Sequence, residues 1–163
     1  MKKGRVDFHA GFGVVPSFFK DRAKTIAHPI QLGMSVMVSK RFSLGVEAGR
    51  SISAATRTYQ QYHIRYDNHL YYGGLRGLIH FAPTDKSTCY GGFVIGYHRS
   101  VIHIDDPEMA DVAALLGIGK HKGRLVYSGI VGGQYAFGKR WRAYGELGYQ
   151  TSIATIGLIY SIK

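Results

Sequence analysis

Glu47, Arg76 and Glu146 are the residues of this sequence best placed to do electrostatic work. Each stands in a stretch where polar or glycine residues alternate with apolar ones, and each falls on the polar side of that alternation. Successive side chains of an extended chain point to opposite faces, so all three share a face with small neighbours such as Gly45, Gly74 and Gly148. They lie at comparable distances from a short connection, which sets them at one depth of a staggered sheet. An arginine between two carboxylates can bridge both. If that face is closed off from water, the triad is either a gate that exchanges partners or an ion network that plugs an interior. Charge is usually buried in pairs, which favours the plug.

His9, His80 and His98 have the same parity. Three imidazoles can ligate a metal, but nothing in their spacing demands one, so packed interior histidines are expected and neither metal nor cofactor is. The stretch "YHRSVIHIDDPE", residues 97 to 108, sets His98 beside Ser100 with Asp105 and Glu108 downstream, the ingredients of a nucleophile, a base and an orienting acid. Acylated lipid would have to reach them from the apolar side. Phe93, Ile95 and Tyr97 take that side and leave His98 and Ser100 on the other, so no catalytic residue is expected.

The elements that must carry these groups are strands. "SKRFSLGVEAGRS", residues 39 to 51, places Phe42, Leu44, Val46 and Ala48 at every second position against Ser43, Gly45, Glu47 and Gly49. The same period of two recurs over residues 5–16, 29–39, 70–82, 89–100, 125–138, 140–150 and 154–163. With residues 39–51 this makes eight segments. The links "SKRFS", "PTDKS" and "GKR" are tight, whereas residues 17–28, 52–68 and 101–123 are long excursions, so short and long connections alternate. That segregation belongs to transmembrane barrels, with turns at one rim and loops at the other.

The orientation of the two faces follows from volume. An eight-stranded barrel has room inside only for a filling of side chains, and Phe8, Phe12, Phe93, Tyr97, Tyr127, Tyr135 and Trp141 would overfill it. Glycine-rich polar faces therefore point in and bulky faces point out, an arrangement that only lipid sustains. Inward Met37, Tyr72, Leu78, Tyr90, Tyr144, Ile130 and Ile159 add bulk to the interior and argue against a continuous water path. The composition agrees: 22 glycines and 12 tyrosines against only 4 prolines suit twisted, closely packed strands. No run approaches about 18 apolar residues, so no transmembrane helix is expected. No apolar segment of a signal peptide precedes Asp7, and a mature chain with its leader removed is expected. Cys89 is the single cysteine and is read as a packing residue.

The alternation and the loop scheme resemble the small outer-membrane barrels of OmpX type and the OmpA transmembrane domain. "SKRFSLGVEAGRS", "LYYGGLRGLIHF", "CYGGFVIGYH" and the ending "IGLIYSIK" look most like the porin-like outer-membrane β-barrel proteins of Bacteroidetes-type bacteria. The resemblance spans nearly the whole chain, treated as a single domain over 1–163, and departs at Lys163, where many such barrels end in an aromatic residue. It implies an all-β, eight-stranded antiparallel up-and-down transmembrane barrel, an outer-membrane location and assembly by the barrel-insertion machinery.

The formal charge of +11 calls for an anionic partner. Basic residues split between the two rims, which opposes nucleic acid, since that ligand wants one contiguous basic face. Arg50 and Arg99 have outward parity at the loop rim, and Lys20, Arg22 and Lys24 lie in the first long loop, where lipopolysaccharide phosphates are the matching anions. In the third loop, Pro107 and its acids precede Met109, Val112, Leu115 and Leu116, then Gly117, the pattern of a short amphipathic helix that would bind an extracellular partner, lie on the membrane or cover the mouth. The expected role is a non-enzymatic envelope structural or surface-interaction protein. A narrow pore for small solutes is the alternative, and a lipid A-modifying enzyme is the reading that the parity of Ser100 opposes.

Overall fold

The computed structural model describes residues 3–16, 24–59, 62–81, 84–104 and 121–162. Eight strands run in chain order: β1 Val6–Pro16, β2 Lys24–Met37, β3 Phe42–Tyr59, β4 Tyr62–Phe81, β5 Ser87–Ile104, β6 His121–Ala136, β7 Trp141–Gly148 and β8 Ser152–Ile162. Each pairs antiparallel with its sequence neighbours, and β1 closes on β8 through a register that includes His9 opposite Ile159. Closure leaves the sheet no edge at membrane depth, the condition for exposing backbone to hydrocarbon.

All three of the expected long excursions are partly strand. β3 runs to Tyr59 and β4 begins at Tyr62, and the pairing continues through Thr56 opposite Arg65 to Tyr59 opposite Tyr62. β5 likewise extends to Ile104, and β2 starts at Lys24. These segments are richer in polar residues than the rest of their strands, yet Thr56, Thr58, Tyr59, Tyr62, Ile64 and Tyr66 are β-branched or aromatic and favour extended backbone. β7 is the short member, at 8 residues, and β6 pairs with it only from Ile130 onward. The wall is consequently tall from β3 to β6 and low at β7.

Short turns close the other end. At the first, the Ser39 hydroxyl accepts the backbone N–H of Arg41 at 3.2 Å and of Phe42 at 3.0 Å. At the second, Thr84 Oγ1 accepts the N–H of Ser87 at 2.9 Å. Side-chain oxygens that satisfy local backbone donors make such tight links possible.

The faces are inverted relative to a water-soluble protein. Leu32, Leu75, Phe93, Leu125, Tyr127 and Leu147 are exposed, Tyr127 at 83%. Met37, Tyr72, Leu78, Tyr90, Val94, Ile130 and Tyr144 are buried within the lumen, and so are Asp7, Glu47, Arg76, Arg142 and Glu146. An apolar girdle of this extent is far larger than the patches soluble monomers expose.

Candidate functional site

The lumen accommodates its bulkiest side chains, three tyrosines, because each lies over glycine. A side chain at Gly96 would meet the Tyr72 ring at 2.4 Å, and one at Gly132 would meet Tyr90 at 2.6 Å. Tyr144 is received in the same way, with its hydroxyl 2.3 Å from where a Cβ of Gly11 would stand. The glycines opposite the apolar positions thus make room for three tyrosines in a barrel only eight strands wide.

Arg76, on β4, reaches across that packed interior. Its Nη1 lies 2.8 Å from Glu47 Oε2 on β3, and its Nη2 lies 2.5 Å from Glu146 Oε2 on β7. Tyr72 OH donates to Glu47 Oε1 at 2.8 Å, Tyr90 OH donates to Glu146 Oε2 at 3.1 Å, and Arg76 Nη1 donates to His9 Nε2 at 3.3 Å. All of these residues are buried, Arg76 to the point of 5% exposure. The depth shared by Glu47, Arg76 and Glu146 therefore becomes contact, between residues 29 and 70 positions apart. Desolvating three charges is costly, and the tyrosine hydroxyls offset part of that cost by occupying carboxylate lone pairs. Arg76 Nε has no partner among the described residues, and a cavity of about 30 Å³ lined by Asp7, His9, Arg76, His80, Tyr90 and Gln134 lies beside it. That volume holds about one water.

A second ion group, which sequence reasoning did not single out, sits nearer the short turns. Arg142 Nη2 lies 2.6 Å from Asp7 Oδ1, Arg142 Nη1 donates to Gln134 Oε1 at 2.8 Å, and Arg5 Nη2 lies 2.8 Å from Asp7 Oδ2. Asp7 and Arg142 both have inward parity, so the alternation could have found them. Their meeting depends on β1 closing onto β8, whose other neighbour is β7, which alternation does not reveal. An open basin of about 390 Å³, bordered by Arg5, Lys86, Lys139, Arg140 and Arg142, leads out to the turn rim.

The three inward histidines are held apart. His9 belongs to the Arg76 network, His80 Nε2 meets Ser43 Oγ at 2.9 Å, and His98 packs edge-on to Tyr72 with ring centroids 5.1 Å apart. Among the described residues, no group of three His, Cys, Asp or Glu side chains is placed to hold a metal. Ser100 Oγ donates to Asn68 Oδ1 at 2.5 Å. Asp105 and Glu108 lie outside the described residues.

Arg50 and Arg99 are exposed on the outer wall near the tall end, and Lys24 is exposed at the start of β2. Lys20, Arg22, Met109, Val112, Leu115 and Leu116 lie outside the described residues.

No family model matches the chain, and no curated protein does. Solved structures do. The outer membrane protein OprG of Pseudomonas aeruginosa superposes with a TM-score of 0.71 at 13% identity, over 99% of this chain and 97% of that one. The N-terminal β-barrel domain of OprF from the same organism gives 0.59 at 12% identity, over 99% and 100%. A de novo designed transmembrane β-barrel gives 0.56 at 12% identity, over 99% and 98%. Since a designed chain reaches the same architecture, the likeness speaks for fold and not for activity. The chain is a closed eight-stranded antiparallel β-barrel with the fold of small outer-membrane barrel proteins.

Proposed function

We propose that this chain is a non-enzymatic outer-membrane barrel whose interior is a plug and whose work is done at its surface. It serves as an envelope structural or surface-interaction protein, with lipopolysaccharide around it and an extracellular partner at the tall end. The observation that carries this reading is the Arg76 bridge to Glu47 and Glu146, ringed by Tyr72, Tyr90 and Tyr144, which fills the lumen at mid-height. The outward girdle of exposed apolar side chains supports residence in lipid, and the fold of OprG and OprF supports the outer membrane as the place. A narrow pore is the second reading, favoured by the basin at the turn rim, which shares Gln134 with the 30 Å³ cavity beside Arg76.

The test has two arms. Expressed with a signal peptide, the protein is expected in outer-membrane fractions, where it migrates faster unboiled than boiled on a denaturing gel. Reconstituted in planar bilayers, it is expected to show no steady conductance. Stable ohmic conductance that disappears on filling the basin, for example in Gln134→Trp, would establish the pore instead.

A further inference from the structure

We infer that the outer wall at β3, β4 and β5 carries a binding site for the phosphate of a membrane glycolipid, built on Arg50, Tyr71 and Arg99. The inference deepens the lipid contact proposed above and rests on the tall end being the outer-leaflet end.

Cross-strand register places the three side chains in one rung. Arg50 on β3 stands opposite Tyr71 on β4, and Tyr71 stands opposite Arg99 on β5. Directly paired residues share a face, and all three are exposed on the outer one. The two arginines lie two strands apart, about 10 Å, so a phosphate bridging them would sit over the Tyr71 ring. Arg50 is already oriented to do this: its guanidinium carbon lies 5.5 Å from the Tyr71 ring centroid, and its Nη2 donates to His69 Nδ1 at 3.4 Å. Stacking and a neutral acceptor hold the fork in place without neutralising it. Among the described residues, neither Arg50 nor Arg99 takes part in an ion pair with a carboxylate.

The surroundings choose a lipid over a soluble anion. The next rung toward the membrane centre is Ala48, Gly73 and Tyr97, and below it come Val46, Leu75 and Ile95. At Gly73 a Cβ would meet nothing within 4 Å, and the exposed Tyr97 ring leans away from it over Gly123 on β6, so the wall is recessed directly beneath Tyr71 and beside Ala48. A headgroup phosphate on the arginines would thus have an acyl chain descending over this recess. On the other side of the rung, His69 and His103 stack with ring centroids 4.7 Å apart, and Asp67 stands opposite His103. Asp67 is the sole carboxylate on this outer face among the described residues. It lies two rungs from Arg50 and Arg99, on the water side, where it caps the site instead of filling it.

Glycolipid binding by the refolded full chain in detergent, read by native mass spectrometry, tests the site. The probe is bisphosphorylated lipid A, compared with the same lipid after enzymatic dephosphorylation. The wild-type chain is expected to retain the phosphorylated form, and Arg50→Ala with Arg99→Ala is expected to weaken retention by about tenfold or more, the loss of one or two charge-assisted contacts. Gly73→Leu, which fills the recess and leaves both arginines in place, is expected to weaken it as well. Lys139→Ala with Arg140→Ala, at the opposite rim, removes the same charge and is expected to change nothing. Equal retention by the Arg50 and Arg99 variant, equal retention of the dephosphorylated lipid, or displacement by millimolar inorganic phosphate would overturn the site. Each of these results leaves the plugged lumen standing, because conductance is measured separately, while a conducting barrel would sink the plug and not the site.

Discussion

Arg76 and the pair Arg50 and Arg99 are the same residue type on the same three-strand stretch of sheet, yet they live under opposite rules. Arg76 points in, is buried, and has two carboxylates and two tyrosine hydroxyls arranged about it. Arg50 and Arg99 point out and are exposed, and Arg50 has an aromatic ring and a histidine for company. The difference teaches that in a membrane barrel the interior must supply its own counter-charges, whereas the outer wall at headgroup height can take them from the surrounding lipid. One parity step separates a structural charge from what we propose to be a recognition charge.

If that contrast holds, breaking the interior pair should be the most damaging single change. Arg76→Ala leaves Glu47 and Glu146 facing each other in the lumen, and a loss on the order of 3–5 kcal/mol is expected in urea unfolding, followed through the single Trp141. The triple change Glu47→Gln, Arg76→Met, Glu146→Gln should cost less than Arg76→Ala alone. Equal losses would mean that the three charges do not depend on one another.

Placing a charge on the outer wall below headgroup height should come next. Leu75→Arg, in the apolar girdle, is expected to cost about 2–4 kcal/mol when the barrel unfolds from a bilayer and distinctly less from detergent, where water approaches more closely. An unchanged cost in both media would argue that Leu75 does not face the hydrocarbon.

Smaller still is the effect of crowding the lumen. A methyl group at Gly33 would stand 2.4 Å from the His9 ring and 2.6 Å from the Val46 carbonyl oxygen, and only the ring can yield. Gly33→Ala is expected to cost about 1–3 kcal/mol, and shortening the ring with His9→Ala in the same chain should recover only part of it, because the carbonyl remains. Full recovery would assign the whole clash to the side chain.

The smallest stability effect belongs to the rim. Arg50→Ala with Arg99→Ala is expected to shift unfolding by less than about 1 kcal/mol, as exposed charges generally do. Loss comparable to Arg76→Ala would show that the outer arginines are structural as well and would erase the contrast.

How much was legible in advance depends on the range of the interaction. Alternation within β1, β3 and β7 announces which side chains share a face, because the period of two is a property of each strand alone. It also brings Asp7 and Arg142 to the inner face, but their 2.6 Å contact joins residues 135 positions apart and exists only once β1 closes the barrel. The continuation of β3 and β4 to Tyr59 and Tyr62 was hidden for a different reason: residues 53–61 and 63–69 mix threonine, arginine, glutamine and histidine among the tyrosines, so the apolar pattern that marks a strand weakens while the strand goes on. Tyr71 and Gly73 read as ordinary members of an apolar face, and nothing in their own neighbourhood ties them to arginines on two other strands.

By itself, then, the sequence determined the number of strands, the assignment of each side chain to lumen or lipid, and the impossibility of turning the bulky face inward, since these rest on local periodicity and on side-chain volume. Only the tertiary structure decided which charges meet. The stagger between neighbouring strands sets the height of every residue relative to those on other strands, and a shift of two residues would keep every face assignment while moving Arg76 about 7 Å from its carboxylates and Arg50 out of line with Tyr71.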